Sequence, residues 1–361
     1  MSVVDRVAVR VRLGERSYPV LVGMGLSRRI GEAIDELIPG ADGCVLVTSP
    51  TIDGLHSKAV VEGLKELSPV KLIVPDGEDA KTWATAEAVI NGLIERGLNR
   101  GGVVVALGGG AVGDVAGFAA SIYLRGVRVV QVPTTLLGMV DSSIGGKTAV
   151  NHPGGKNLVG SFHQPGAVVI DPTFLETLPV REIRSGLGEA VKYGVIKNPD
   201  LFRFIEDNGE ALLGGDLGAL THIAEASAKI KAGYVEADER DEKGVRAALN
   251  LGHTLGHAVE RLSPSVRHGE AVSIGMVYAS KLAAEKGLMK GSDEVRLGRA
   301  LAGLGLPTEV PELSADDLIA LMRRDKKAAR GGLRFVLPRG IGAEPVVTAV
   351  DEQLVREALS A

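Results

Sequence analysis

The sequence predicts an α/β domain of the doubly wound, Rossmann-like kind, with a mainly parallel sheet, followed by a mostly helical domain. Three observations carry this. Short apolar runs at 44–48, 70–74, 102–107, 127–132 and 167–170 read as buried strands. Amphipathic helical patterns at about 26–38, 52–67, 82–97 and 113–124 separate them, and strands alternating with helices argue for a parallel sheet. The rhythm then stops near Pro172–Pro179, beyond which almost every segment has helical periodicity.

Ahead of the first of these strands, residues 6–13 alternate polar and apolar, with Val7, Val9, Val11 and Leu13 on one face. With Tyr18 to Val22 they predict a hairpin at a sheet edge. In the second half, helices are expected at about 181–197, 199–213, 217–238, 247–262, 269–287, 293–303 and 314–324. A late strand is expected at 333–337 and a terminal helix at 350–359. The predicted domains are 1–178 and 179–361.

Composition narrows the function. The 361 residues carry 45% hydrophobic and 24% charged side chains, ordinary for a soluble enzyme. A formal net charge of −4 and 3% aromatics argue against nucleic-acid binding, which needs a basic field and stacking platforms. The single cysteine, Cys44, lies in an apolar strand and reads as a buried thiol in a reducing, cytoplasmic setting. Asp5, Arg6, Arg10 and Arg12 break up the N-terminal valines, so no signal peptide is expected there. Charged residues also interrupt every candidate membrane span, Asp114 and Arg125 the best of them.

Four groups of residues point to chemistry. The strand at 102–107 runs into Gly108-Gly109-Gly110-Ala111-Val112-Gly113-Asp114. A glycine turn opening a helix presents backbone N–H groups to a phosphate; the alternative is a tight turn needing positive φ. Asp76-Gly77-Glu78 with Lys81, and Thr134-Thr135, follow other strand ends, where parallel sheets meet ligands. Next, Asp141-Ser142-Ser143-Ile144-Gly145-Gly146-Lys147 and Asn151-His152-Pro153-Gly154-Gly155-Lys156-Asn157 place two lysines on a glycine-rich backbone, suited to anionic oxygens or to a solvated surface loop.

The third group reads as metal chemistry. His253 and His257 are four apart on one helical face and His268 follows a short loop, so three of seven histidines fall in sixteen residues. Glu189 and Lys192 lie three apart in apolar company, as ligand and neighbour or as a plain intrahelical ion pair. Spacing leaves open whether His257 ligates a metal or works beside it. The fourth group is Lys231 and Asp238-Glu239 on the long helix, with Arg246 and Asn250 on the helix that carries His253; Asp325-Lys326-Lys327 precedes the late strand.

Together, in this order, the motifs resemble the 3-dehydroquinate synthase family of sugar-phosphate cyclases. The resemblance runs from Asp76-Gly77-Glu78 through Pro133-Thr134-Thr135-Leu136-Leu137, Gly188-Glu189-Ala190-Val191-Lys192 and His268-Gly269-Glu270-Ala271-Val272 to Arg334-Phe335-Val336-Leu337-Pro338. It implies NAD⁺ and a divalent metal, most often Zn²⁺ and otherwise Co²⁺, as cofactors, and a homodimer. It also implies that Glu189, His253 and His268 ligate the metal and that His257 serves hydrogen bonding and proton relay. Asp76, Gly77, Glu78, Lys81, Gly109, Gly110, Ala111, Val112, Gly113, Asp114, Thr134, Thr135, Lys147, Lys156, Phe174, Leu175, Glu176 and Thr177 would hold NAD.

Asp141, Lys147, Lys156, Asn157, Lys192, Lys231, Arg246, Asn250, His257 and one or both of Lys326 and Lys327 would surround substrate, with Arg125 offered by the neighbouring protomer. Among these, Lys147, Asn157, Lys192, Arg246 and His257 would act in catalysis. The implied reaction, a step of the shikimate pathway towards chorismate and the aromatic amino acids, converts 3-deoxy-D-arabino-heptulosonate 7-phosphate to 3-dehydroquinate and phosphate. The sugar is oxidised at C5, loses phosphate, is reduced again at C5 and closes by an intramolecular aldol step. Rival activities are cyclisation of sedoheptulose 7-phosphate and metal-dependent polyol oxidation. One departure is visible: after strand 44–48 many members carry an acid or asparagine for the adenosine ribose, where this chain has Thr48-Ser49-Pro50, with Asp53 further along.

Overall fold

The computed structural model describes residues 2–325 and 332–360. The chain divides into two compact units. The first comprises residues 1–179 and 220–240, the second 180–219 and 241–361.

The first unit is built on a seven-stranded sheet. In chain order its strands are β1 (Val7–Val11), β2 (Tyr18–Val22), β3 (Cys44–Thr48), β4 (Val70–Ile73), β5 (Val103–Gly108) and β6 (Arg128–Pro133). A two-stranded hairpin, β7 (Lys147–His152) and β8 (Gly155–Phe162), follows, and then β9 (Ala167–Ile170). The order across the sheet is β1-β2-β9-β6-β5-β3-β4. Only β1 pairs antiparallel, as the predicted edge hairpin; the other neighbours are parallel. The central strands β3, β5 and β9 are buried along their whole length, which explains their unbroken apolar sequence. Helices Trp83–Glu95 and Gly110–Ile122 bury Val89, Leu93, Val112, Val115 and Phe118 in one core with β3 and β5.

All five apolar runs form strands within a residue or two of expectation, but β4, at the sheet edge, alternates half-buried and exposed residues and is not the buried strand expected. The β7–β8 hairpin was expected only as loop. Its two-residue turn, Pro153-Gly154, joins the paired residues His152 and Gly155. The hairpin lies outside the main sheet, and mostly exposed or half-buried residues make up β8, so no apolar run announces it.

The second unit is largely helical, with helices Val180–Ile196, Pro199–Asp207, His253–Leu262, His268–Glu285, Gly291–Gly303, Ala315–Asp325 and Glu352–Ser360. The late strand, β10 (Leu333–Leu337), pairs antiparallel with β11 (Val346–Val350). Several expectations need correction. The segment 199–213 is two helices, Pro199–Asp207 and Gly209–Leu213, parted at Asn208. The segment 247–262 is not one helix: Val245–Asn250 forms a 3-10 turn carrying Arg246 and Asn250, and a new helix starts at His253. The break falls at Leu251, which leaves the helical conformation, and at Gly252, whose φ of 81° caps the next helix. Asp238 and Glu239 lie just beyond the long helix Leu217–Ala237 rather than on it. Among the described residues no helix is long and apolar enough to cross a membrane.

Candidate active site

In the first unit, the expected cofactor residues follow the carboxyl ends of parallel strands, apart from Lys147 and Lys156 on the β7–β8 hairpin. β5 ends at Gly108 and the helix Gly110–Ile122 begins two residues later, with Gly109 as its extended N-cap. No residue of the turn, including Gly113, has positive φ. Glycine is required here by proximity instead. A Cβ on Gly108 would stand 2.7 Å from Val112, one on Gly110 2.9 Å from the Ser142 hydroxyl, and one on Gly113 2.6 Å from Gln131. The glycines are thus required by close packing of the turn against the chain's own side chains, and the turn leads into a helix N-terminus, where backbone N–H groups favour a phosphate. Thr134 follows β6 and donates its backbone N–H to Gly108 at 2.9 Å. Its buried hydroxyl has no hydrogen-bond partner among the described residues, nor has that of Thr48 at the end of β3.

Lys81 is the hub of this region. Its ammonium donates to Asp114 Oδ2 at 2.6 Å and to Asn157 Oδ1, and lies 4.0 Å from Glu78. Burial pushes the Asp114 carboxyl up, and the Lys81 charge opposes it. Asn151, which sequence reasoning had not assigned a role, completes a ring. Its side-chain amide donates to Glu78 Oε1 at 2.7 Å, and its carbonyl oxygen accepts from Asn157 N–H at 2.9 Å. Asn157 sits at φ 57°, which asparagine tolerates better than most residues. Lys147 and Lys156 occupy exposed positions on the two strands of the hairpin.

Asp141, on the turn Gly138–Ser142, accepts from Lys231 at 2.7 Å through its side chain and at 2.6 Å through its backbone carbonyl. Phe174, Leu175, Glu176 and Thr177 form a 3-10 turn after β9. His56, a second residue missed from sequence, meets this turn: Nε2 is hydrogen-bonded to Thr177 Oγ1 at 2.9 Å, and its ring centroid lies 4.8 Å from that of Phe174. Burial lowers the His56 pKa. Arg125 is exposed and left-handed, at φ 67°, after Leu124 at φ 49°.

In the second unit, three helices bring Glu189, His253 and His268 together. One ligand atom from each falls within 4.8 Å of the others. His253 Nε2 lies 3.4 Å, and His268 Nε2 3.2 Å, from Glu189 Oε1. Glycines permit the approach: a Cβ on Gly188 would meet Gly269 O at 2.6 Å, one on Gly269 would meet Ser185 O at 1.9 Å, and one on Gly275 would meet Gly252 O at 1.8 Å. The sequence signal is thus two-part, a ligand type beside a glycine that lets its helix in.

The far side of each imidazole is also held. His253 Nδ1 donates to the Leu251 carbonyl at 3.1 Å, which leaves Nε2 free of a proton in the neutral ring. His268 Nδ1 meets Glu260 Oε2 at 3.2 Å. Glu260 was not singled out from sequence, because its partner is set by packing and not by spacing. Burial, only partly opposed by Glu189, pushes the His253 pKa down to about 3. Burial also disfavours charge on His268, but hydrogen bonds to Glu189 and Glu260 outweigh it and raise its pKa to about 10.

Lys192, almost wholly buried, forms the intrahelical ion pair with Glu189 and lies 5.0 Å from the Tyr193 ring centroid. The His257 ring centroid is 5.2 Å from that of His253 and outside the triad. Arg246 is buried and Asn250 half-buried on the 3-10 turn. Lys326 and Lys327 lie outside the described residues.

Comparison with known proteins gives a consistent answer. Residues 71–185 match the model described as 3-dehydroquinate synthase N-terminal, and residues 186–328 the model described as 3-dehydroquinate synthase C-terminal. A 3-dehydroquinate synthase of Geobacter metallireducens is 50% identical over 345 residues, 94% of this chain and 95% of that one. Among solved structures, a 2-deoxy-scyllo-inosose synthase complexed with carbaglucose-6-phosphate, NAD⁺ and Co²⁺ superposes with a TM-score of 0.88 at 28% identity, covering 97% of this chain and 98% of that one. The 2-epi-5-epi-valiolone synthase of Streptomyces hygroscopicus subsp. jinggangensis, with NAD⁺ and Zn²⁺ bound, gives 0.86 at 30% identity, covering 97% of each. The chain belongs to the 3-dehydroquinate synthase family.

Proposed function

We propose that the protein is a 3-dehydroquinate synthase, converting 3-deoxy-D-arabino-heptulosonate 7-phosphate to 3-dehydroquinate and phosphate. The observation that carries this is the family match spanning both units, joined to the Glu189, His253 and His268 cluster within it. Two imidazoles and one carboxylate, each imidazole backed by an acceptor, suit a divalent metal, Zn²⁺ in our reading. The glycine turn and the unpartnered buried hydroxyls of Thr48 and Thr134 suit a dinucleotide, NAD⁺. When bound, these groups supply a reversible hydride acceptor and a Lewis acid.

The chain's own residues then bind and orient. Lys147, Lys156 and Asn157 hold the phosphate. Arg246, Asn250, Lys231 and Asp141 position the carboxylate and hydroxyls, and Lys192, paired with Glu189, meets the substrate as well. His257 relays a proton to and from the sugar oxygens. Charge-assisted bonds of this kind contribute about 1.5–3 kcal/mol each, and a doubly anionic substrate calls for several. We infer further, from the family resemblance alone, a cytoplasmic homodimer that lends the exposed Arg125 to the neighbouring substrate.

The test is phosphate release from 3-deoxy-D-arabino-heptulosonate 7-phosphate, with and without NAD⁺ and Zn²⁺, and after chelation, with the product identified. Release that needs metal, forms 3-dehydroquinate and leaves no net NADH is expected. Turnover of sedoheptulose 7-phosphate instead, or net reduction of NAD⁺ with a polyol, would overturn it.

A further inference from the structure

Between Asp141 and Lys147, both assigned to substrate, the chain turns on two glycines. Gly145 has φ 104° and Gly146 φ 67°, a region that side chains disfavour. Glycine permits this turn, but it also has more conformational freedom to lose than any other residue. Both glycines are buried, while Asp141 is half-buried and Lys147 exposed. The turn therefore needs contacts from elsewhere in the fold to keep one shape, and its buried N–H groups need acceptors.

The edge hairpin and the segment leading into β9 supply them. Tyr18, the first residue of β2, is fully buried, and its hydroxyl accepts a hydrogen bond from Gly145 N–H at 2.9 Å. The Gly146 carbonyl accepts from His163 N–H at 2.7 Å. A Cβ on Gly146 would stand 2.8 Å from Gln164 Oε1, so Gln164 closes against bare backbone. Gln164 donates in turn to Glu239 Oε1 at 3.4 Å, and Glu239 accepts a fork from Arg16, on the turn before β2, at 2.9 and 2.7 Å. The hairpin also reaches the helix Leu217–Ala237, where Glu236 accepts from Arg12 N–H at 2.8 Å. That helix carries Lys231, the partner of Asp141. The Arg16 side chain is 60% exposed, so its ion pair contributes little. The Tyr18 bond is buried, and a buried N–H that loses its acceptor is costly.

We propose that Tyr18 is a positioning residue of the substrate site, its hydroxyl fixing the Gly145-Gly146 turn and thereby the separation of Asp141 and Lys147. The inference rests on the assignment of those two residues to substrate and adds the group that holds them in register. Buried as it is, Tyr18 acts through the backbone and not on the ligand.

Steady-state kinetics with 3-deoxy-D-arabino-heptulosonate 7-phosphate and NAD⁺, together with thermal unfolding, test this on the wild type, Tyr18→Phe, Tyr123→Phe and Lys147→Met. Tyr123→Phe is the matched control: its hydroxyl is also buried and donates to the Leu98 carbonyl at 2.7 Å, among residues with no part in the substrate reading. Both phenylalanine variants should lower the melting temperature. Tyr18→Phe should raise KM for the sugar phosphate about 10-fold and leave KM for NAD⁺ within about twofold, because a small misplacement of a binding group is felt by the ligand it holds. Tyr123→Phe should leave both KM values at the wild-type level, and Lys147→Met should raise that for the sugar phosphate at least as much as Tyr18→Phe. A Tyr18→Phe enzyme with wild-type KM for the sugar phosphate, or a Tyr123→Phe enzyme that reproduces the rise, would overturn the assignment of Tyr18 alone. A Lys147→Met enzyme with wild-type KM, or a wild type that releases no phosphate, would defeat the substrate reading and the inference with it.

Discussion

Replacing Gly269 by alanine tests how the metal cluster is assembled. The new Cβ would lie 1.9 Å from the Ser185 carbonyl oxygen and 2.5 Å from its carbon, both backbone atoms that cannot turn aside. Ordinary contact begins near 3.4 Å, so the helix His268–Glu285 must retreat from Val180–Ile196 by about 1.5 Å. His268 is the first residue of the retreating helix and Glu189 sits on the other. Metal–ligand distances tolerate about 0.2 Å, so the displacement is several times what a metal accepts. Overpacking of this kind costs about 1–3 kcal/mol, and metal affinity should fall about 100-fold or more. Competition with a chelator of known affinity measures the second quantity and thermal unfolding the first. Gly233→Ala is the control: apart from its chain neighbours and its own helix's backbone nothing lies within 4 Å of its Cβ, and it is exposed on a helix, so a gain of up to about 1 kcal/mol is expected. Wild-type metal affinity with an unchanged melting temperature in Gly269→Ala would refute the argument from close approach.

Glu260→Gln keeps the shape of the group behind His268 but removes its charge, and should weaken metal binding about 10-fold or more in the same competition assay; no change would separate Glu260 from the metal. Lys81→Met leaves the Asp114 carboxylate without its ammonium and should cost about 3–5 kcal/mol in denaturant unfolding, partly recovered by adding Asp114→Asn. A loss under about 0.5 kcal/mol would mean that water replaces the lysine. Burial pushes the Cys44 thiol up to about 12 from 9.0, so iodoacetamide at pH 8.5 should label it only after unfolding. The sign of its linkage follows: above pH 9 the unfolded thiol loses its proton while the native one keeps it, so stability falls towards pH 12, by up to about 1.4 kcal/mol per pH unit. Cys44→Ala should remove that slope from the pH dependence of unfolding.

What could be read from sequence divides along physical lines. β3, β5 and β9 were legible because burial on both faces demands unbroken apolar runs. Glu189, His253 and His268 were legible as candidates because few residue types bind metals and three of the seven histidines crowd into sixteen positions. The β7–β8 hairpin was not, since its outer strand carries lysine, asparagine and exposed leucine and phenylalanine; the Pro153-Gly154 turn between two extended segments was the available signal. The break before His253 was hidden because a continuous helical pattern runs through 247–262, and only Gly252 marks it. Glu260 and Asn151 stayed invisible for a deeper reason: each acts through a partner eight or more residues away or across a turn, and no spacing rule encodes that.

The hairpin also shows how the first unit divides rigidity from responsiveness. Val150 and Val159, paired partway along it, pack against the same core as β3 and β5. Those contacts fix the plane of the two strands, because burying apolar surface has no equivalent substitute elsewhere. The tip is held differently. Leu158 is 64% exposed, so little apolar burial orients it. It depends instead on the ring of Lys81, Glu78, Asn151 and Asn157, together with the 2.7 Å bond from Asn151 N–H to the Lys81 carbonyl. An ammonium has three donors and a carboxylate several acceptor sites, so each can trade a protein partner for a ligand oxygen at small net cost. The residues assigned to cofactor and those assigned to phosphate are thus members of one hydrogen-bonded ring. A dinucleotide that recruits Glu78 or Lys81 must alter what holds Asn157, and an anion that recruits Asn157 must alter what holds Lys81. If the dinucleotide takes Glu78 or Lys81 and the anion takes Asn157, as proposed, the two ligands are coupled through shared partners within the ring, with the core-packed part of the hairpin left in place.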